Sequence, residues 1–295
     1  MNHADKTRSS LTDTQTPHSL TVEYAGRSDY FAMTHEHFHP HYEVYILLSG
    51  ERHYFIRDQI YRVQQGDIVF IAKNELHRTL PAELPEHERI VMYFNDHFAE
   101  HHFAAHSAWI LSLFQSKQPV FHLSAREQSH LNPLIQKLLR ELTVQAPGYE
   151  LCMQCIVTEL LITCARLHRE QAQLPATIGT EAHQHMSEVA RYIKSHYQQE
   201  ISLPLLAEQF HLSPSYLSRI FKKTTGFSIT EYLNTIRIQE AQRLLRESEL
   251  KIIDIANIVG FGNFSHFGKM FKHLSQVSPR EYRDSAKHLG IQISK

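Results

Sequence analysis

Leu205-Leu-Ala-Glu-Gln-Phe-His-Leu-Ser-Pro-Ser-Tyr-Leu-Ser-Arg-Ile-Phe-Lys222 recurs in altered form as Ile253-Asp-Ile-Ala-Asn-Ile-Val-Gly-Phe-Gly-Asn-Phe-Ser-His-Phe-Gly-Lys-Met-Phe-Lys272. Ala207 matches Ala256 and Leu212 matches Phe261 at an offset of 49. Ser215, Leu217, Arg219 and Phe221 match Ser265, Phe267, Lys269 and Phe271 at an offset of 50, so the second copy carries one extra residue. The match runs on through Ser228/Ser278, Glu231/Glu281 and Tyr232/Tyr282. Two copies fall short of the three or so stacked units a solenoid needs. Two short helices around a tight turn have the form of a helix-turn-helix, here duplicated.

Each copy carries the local chemistry of that motif. Ser202 is an N-cap with Pro204 in the first turn, and Leu203, Leu206, Ala207 and Phe210 recur at helical spacing. Ser213-Pro214 starts a second helix whose inward stripe is Leu217, Ile220 and Phe221, and Gly226 follows it as a left-handed cap. In the second copy Gly260 makes the turn and Asn263 caps a helix from about Phe264 to Lys272, with Phe267, Met270 and Phe271 inward. The second helix of this motif enters the major groove. A connecting helix at about Thr230–Glu247 spans roughly 27 Å at 1.5 Å per residue. Successive major grooves lie about 34 Å apart, so a rigid connector can present two reading heads to one face of DNA.

These phrases resemble the AraC/XylS family of bacterial transcription regulators. The resemblance rests on Ala207 and Leu212–Gly226, on Arg237, Ala241 and Leu244-Leu245, on Ile255-Ala256, Val259–Phe261, Phe267 and Phe271-Lys272, and on Ser278-Pro279 and Tyr282-Arg283. It covers about 100 residues. It implies that bases are read by Ser215, Ser218 and Arg219 and by Ser265, His266 and Lys269. Arg219 and Lys269 suit the O6/N7 acceptors of guanine, each good contact giving about 1–3 kcal/mol of discrimination. Lys222, Lys223 and Lys272 are expected on phosphates, which position without specifying. Gly268 departs from a good helix, costing about 1 kcal/mol relative to alanine.

Charge divides with the motif. Residues 181–295 hold 15 basic and 11 acidic side chains, whereas residues 1–180 hold 15 and 20. So small a basic excess argues against an architectural DNA binder and favours a dimer for tight binding. No run of eighteen apolar residues occurs, so no membrane-spanning helix is expected. The polar N-terminus does not read as a secretory signal, and a cytoplasmic bacterial protein is expected. Three cysteines, Cys152, Cys155 and Cys164, fall in one helical segment without a disulfide framework. Cys152-x-x-Cys155 reads as part of that helix's buried face, with redox or zinc chemistry as the alternative.

Sixteen of the 23 histidines precede residue 181, several within His35-Glu-His-Phe-His-Pro-His-Tyr-Glu43. Short apolar runs follow at Val44–Leu48, Arg52–Arg57, Ile60–Val63, Ile68–Ile71 and Ile90–Phe94, broken by turns at Ser49-Gly50 and Gln65-Gly66-Asp67. That pattern predicts an all-β sandwich or barrel. The spacing His37-x-His39-x₃-Glu43-x₆-Gly50 with Gly66-x₁₀-His77 resembles the two motifs of cupins, which are jelly rolls. In metal-binding cupins the matching residues, here His37, His39, Glu43 and His77, hold one divalent metal. Ala72 and Asn74 depart from the second motif, and His39, His41 and Glu43 offer another register. Three readings stay open for these residues: a metal site, a polar ligand pocket, and structural histidines at the barrel mouth. His97/His101 and His102/His106 also sit at i, i+4, as surface histidines of a helix or a weaker metal candidate.

The expected fold is therefore α+β in two domains. A tail at 1–17 precedes a cupin-like sensor at 18–122, and a helical dimerisation or packing segment spans 123–170. A linker at 171–182 leads to a DNA-binding domain at 183–286, with motifs at about 203–223 and 252–272, and a tail at 287–295. The helical segment shows stripes of Leu131, Leu134, Ile135, Leu138, Leu139 and Leu142, then Leu151, Ile156, Leu160 and Ile162–Leu167, separated by Pro147-Gly148. The expected function is a sequence-specific transcription regulator, an activator, with no enzyme activity and no required cofactor. Its expected partners are promoter DNA, RNA polymerase, a second copy of itself and a small-molecule effector, with a carbohydrate implied by the resemblance. The alternative is a metal-dependent cupin enzyme with an appended helical domain.

Overall fold

Positive backbone angles set the strand breaks of the N-terminal half. Gly50 has φ +87°, and a Cβ there would lie 2.3 Å from the Glu86 carbonyl oxygen, so only glycine lets the chain reverse so close to its neighbour. The computed structural model of the chain describes residues 9–10, 19–27, 38–170 and 180–288. Two compact units result, residues 1–179 and 180–295.

Among the described residues the N-terminal unit has nine strands: β1 (Ser9–Ser10), β2 (Leu20–Arg27), β3 (Tyr42–Ser49), β4 (Glu51–Ile56), β5 (Gln59–Gln64), β6 (Ile68–Ile71), β7 (His77–Pro81), β8 (His87–Phe94) and β9 (Val120–Phe121). They form two antiparallel sheets, ordered β1-β2-β8-β3-β6-β9 and β5-β4-β7. Alternation along each strand gives the larger sheet two buried faces. One face sends Tyr45, Leu47, Val69, Ile71 and Val91 toward Tyr54, Ile56, Tyr61 and Val63 of the smaller sheet. The other sends Val22, Val44, Ile46, Ile68, Phe70, Ile90, Met92 and Phe94 into a core completed by helices.

Those helices are α1 (Asp96–Phe103), α2 (Ser107–Leu111), α3 (Ala125–Val144) and α4 (Tyr149–Glu170). Ser124 and Glu127 form a capping box at the start of α3. Leu131, Ile135, Leu138 and Leu142 of α3 are buried, and Leu134 and Leu139 flank them. The buried row of α4 is Met153, Ile156, Val157, Leu160, Leu161, Cys164 and Ala165. This corrects the expected face. Leu151 is 63% exposed, and Cys152 and Cys155 are exposed while Cys164 alone is buried. At 100° per residue, positions 152 and 155 fall outside the arc set by 153, 157, 160 and 164. By length and composition alone Tyr149–His168 could cross a membrane. Its buried row belongs instead to the core it shares with the sheet.

The C-terminal unit contains α5 (Glu181–His196), α6 (Leu203–Gln209), α7 (Pro214–Thr225), α8 (Ile229–Glu247), α9 (Ile252–Ile258), α10 (Phe264–Ser275) and α11 (Pro279–His288). Thr180 caps α5, Ser202 caps α6, Ser213 caps α7 and Asn263 caps α10, each accepting a backbone N–H near the helix start. The end of each repeat is a capping box. Ser228 pairs reciprocally with Glu231, and Ser278 with Glu281. The second half has its own core of Ile238, Ala241, Leu245, Ile255, Ala256, Val259, Phe261, Phe267 and Phe271. The tail expectation for 1–17 falls almost wholly outside the described residues, as does most of the linker.

Candidate nucleic-acid interface and ligand site

The two copies share one hydrogen-bonded turn. His211 N–H donates to the Glu208 carbonyl at 3.2 Å and Leu212 N–H to that of Ala207 at 2.8 Å. In the second copy Gly260 N–H donates to the Asn257 carbonyl at 3.0 Å and Phe261 N–H to that of Ala256 at 2.9 Å. Both turn residues have positive φ, 53° at His211 and 92° at Gly260. The second copy needs glycine for a further reason. A Cβ on Gly260 would lie 2.8 Å from the carbonyl oxygens of Tyr197 and Gln198, at the end of α5. Arg237 of α8 braces the same end, donating to the carbonyls of Tyr197 and Gln199 at 2.8 Å and lying 5.6 Å from the Phe261 ring centre.

On α7, Leu217 and Phe221 are fully buried. Ser215, Ser218, Arg219, Lys222 and Lys223 are exposed. These five residues line one groove of about 610 Å³ with Leu203 and Pro214, so the residues expected on bases and on phosphates share a surface. Tyr216, not singled out from the sequence, projects beside it at 42% exposure, its ring centre 5.9 Å from the Arg219 guanidinium. Its signal was an aromatic three residues before the arginine, one helical turn away. On α10, Phe267 and Phe271 are buried and Ser265, His266, Lys269 and Lys272 are exposed. Nothing lies within 4 Å of a Cβ added at Gly268, so packing does not demand that glycine. α8 has 19 residues, a length of about 28 Å.

The N-terminal unit brings together three of the four expected ligand residues. His39, Glu43 of β3 and His77 of β7 place their donor atoms within 4.8 Å of one another. His37 lies outside the described residues. Glu43 and His77 are essentially inaccessible, 1% and 0% exposed. Glu43 Oε2 lies 3.1 Å from Nε2 of both His39 and His77. The Tyr54 hydroxyl donates to Oε1 at 2.9 Å. On each imidazole the other nitrogen is occupied, since Nδ1 of His77 donates to the Glu75 carbonyl at 2.7 Å and Nδ1 of His39 to that of His41 at 3.1 Å. Burial alone would raise the Glu43 carboxyl, but His77 and then His39 outweigh it and hold it well below the usual carboxylate range. Burial likewise opposes charge on His77, yet Glu43 raises its pKa. Tyr54 was missed because its role depends on β4 crossing opposite β3, which no local pattern shows. The histidines of α1 form no such cluster; the His97 and His101 rings stack at 6.3 Å, and among the described residues only His39, Glu43 and His77 converge as metal donors.

A duplicated helix-turn-helix in one chain with a β-sandwich that holds buried polar groups defines a DNA-binding regulator with a ligand-binding domain. Comparison with known proteins agrees. Residues 22–161 match the family model of the AraC-like ligand binding domain, and residues 206–285 match that of a helix-turn-helix domain. The chain belongs to the AraC/XylS family of transcription regulators. It is 26% identical over 252 residues to the HTH-type transcriptional activator RhaS of Klebsiella pneumoniae, covering 84% of this chain and 87% of that one. It is 31% identical over 159 residues to the HTH-type transcriptional regulator YijO of Escherichia coli, a match spanning about half of each chain, 54%. Among solved structures it resembles the C-terminal domain of AraT, a response regulator from Geobacillus stearothermophilus, at 34% identity and a TM-score of 0.35, covering 36% of this chain and 88% of that one. The RhaS and YijO relatives are transcription regulators, and the alternative of a cupin enzyme is set aside with them.

Proposed function

We propose that the chain is a cytoplasmic, dimeric activator that reads promoter DNA with α7 and α10 under control of a small molecule held in the N-terminal unit. The observation that carries this reading is the repeated turn, which leaves Ser215, Ser218 and Arg219 exposed on one helix and Ser265, His266 and Lys269 on the other. Lys222, Lys223 and Lys272 would contact phosphates, and RNA polymerase would be the downstream partner. The effector acts by binding one arrangement of the protein better than another. The test is selection of bound sequences from random DNA, followed by affinity measurement. Arg219→Ala should weaken the selected site by about 1–3 kcal/mol, roughly 5- to 150-fold, and leave non-specific binding nearly unchanged. Lys222→Ala should weaken all sequences alike. An Arg219→Ala variant that binds every sequence as the parent does would remove α7 from the reading role.

A second reading concerns a divalent metal. Two imidazoles whose Nδ1–H groups are fixed by backbone carbonyls, with both Nε2 atoms aimed at one carboxylate oxygen, fit the donor set of a transition-metal site. His39, Glu43 and His77 would hold the ion, with His37 or water as a fourth ligand, and the metal would supply a Lewis acid to the effector site. Zn²⁺ or Ni²⁺ is expected to raise the Tm of the N-terminal unit, and chelation to reverse it. A Tm that is indifferent to metal in the parent and in His77→Ala leaves these residues as a hydrogen-bonded cluster.

A further inference from the structure

The smaller sheet and the inner face of the larger one enclose a second polar cluster, away from His39, Glu43 and His77. Its members follow from strand alternation. Val91 and Tyr93 of β8 pack with the inner core, so His87 and Arg89 share their face. Arg27 stands directly opposite His87 on β2. Arg52 shares its face with Tyr54 and Ile56 on β4. Three strands thus direct three guanidinium groups and an imidazole into one end of the sandwich.

Burial and side-chain contacts fit that convergence. Arg52 is 0% exposed, its Nε donating to the Thr79 hydroxyl at 3.2 Å. Burial first, and then Arg89 and Arg27, disfavour its charge, while Tyr45 acts the other way. Burial also pushes His87 down to about 4, helped by Arg52, Arg89 and Arg27. Arg89 places its guanidinium 5.8 Å from the Tyr45 ring centre. Nε of Arg89 and the hydroxyl of Tyr45 are buried without a hydrogen-bond partner among the described residues. Tyr45 is 0% exposed. A buried hydroxyl without a partner is unfavourable, and so is a set of converging like charges. One oxyanion relieves both, accepting from the guanidinium forks and the hydroxyl together. The Tyr45 and Tyr54 rings, in edge contact at 5.2 Å, stand between this end and Glu43, which the Tyr54 hydroxyl touches.

We propose that the effector carries an acid group, a carboxylate or a phosphate ester, bound at this end of the sandwich by Arg89 and Arg52 with Tyr45 as a further donor. The inference rests on reading this unit as the effector-binding one and narrows the chemistry of that effector. It places a sugar acid or sugar phosphate ahead of a neutral sugar.

The test uses the full chain and four probes at matched ionic strength: D-glucose, D-glucuronate, glucose 6-phosphate and inorganic phosphate. Thermal unfolding of the N-terminal unit and titration calorimetry are the readouts. At least one acid probe is expected to raise the Tm saturably while glucose does not, and the responding probe separates carboxylate from phosphate. Arg89→Gln, at a half-buried position, is expected to weaken that probe tenfold or more with the unliganded Tm retained, and Arg89→Lys to recover part of the loss. Acid probes that stabilise no more than chloride, a glucose response equal to theirs, or an Arg89→Gln variant that binds as the parent does would each overturn the proposal. Should Arg89→Gln fail to fold, Tyr45→Phe, which removes only the hydroxyl, must weaken the same probe, and unchanged binding there overturns the proposal equally. Specific DNA binding by the parent, measured alongside, keeps the two readings apart. If it persists without anion binding, this inference alone falls; if it is absent, the regulator reading falls.

Discussion

Gly260→Ala is expected to destabilise the C-terminal unit by about 3 kcal/mol, the upper range for a residue forced into positive φ, because a backbone clash is added. The new methyl would meet the Tyr197 and Gln198 carbonyl oxygens at 2.8 Å, and neither can move without displacing the end of α5. Arg237 would be disturbed as well, since its Nε lies 3.0 Å from the same position. For a unit of about 100 residues this corresponds to a fall in Tm of roughly 10–20 °C. The matching change in the first copy supplies a control. His211 already adopts φ 53°, so His211→Gly should stay within about 1 kcal/mol of the parent. Equal Tm values for Gly260→Ala and the parent would show that the second turn is not held against α5. DNA binding sharpens the test, because α10 is positioned by that turn and α7 is not.

Glu43→Ala is expected to cost the N-terminal unit about 3–5 kcal/mol, the usual penalty for removing one partner of a buried charged set. Its carboxylate is the shared acceptor for His39, His77 and Tyr54, and the alanine leaves all three groups without it. Glu43→Gln keeps the shape and one acceptor oxygen, and should lose less. In a unit of this size the alanine variant should melt roughly 6–20 °C below the parent, with the C-terminal transition unmoved. A Tm for Glu43→Ala within about 1 °C of the parent would mean the cluster contributes little to holding β3 against β4 and β7.

Much of the DNA-binding unit was legible because its information is local. Caps at Ser202, Ser213 and Asn263, prolines at first helical turns and the apolar stripes through Leu217–Phe221 and Phe267–Phe271 act within one or two turns of helix. Duplication then multiplied the signal. The helical segment before the linker was less legible. An apolar helix with Leu151, Cys152 and Cys155 beside Met153 and Ile156 offers two plausible faces, and only the shared core, with α3 packed against it, selected one.

The polar interior of the N-terminal unit was half legible. His39, Glu43 and His77 were chosen from a motif spacing, and β3 and β7 do bring them together. Tyr54, Arg52, Arg89 and Tyr45 carried no such signal. Each is one residue in an ordinary alternating strand, and an arginine in a strand reads by default as solvent-facing.

The repeat at Leu205–Lys222 and Ile253–Lys272 by itself determined that this chain carries two helix-turn-helix copies and which side chains face outward from them. Helical period and capping are properties of neighbouring residues, so sequence suffices. Tertiary structure alone decided why the copies differ at His211 and Gly260, and why Arg52 and Arg89 turn inward beside Tyr45. Both depend on what a distant strand or helix end places within 3–6 Å, and contacts formed by pairing across many residues leave no periodic trace in the chain.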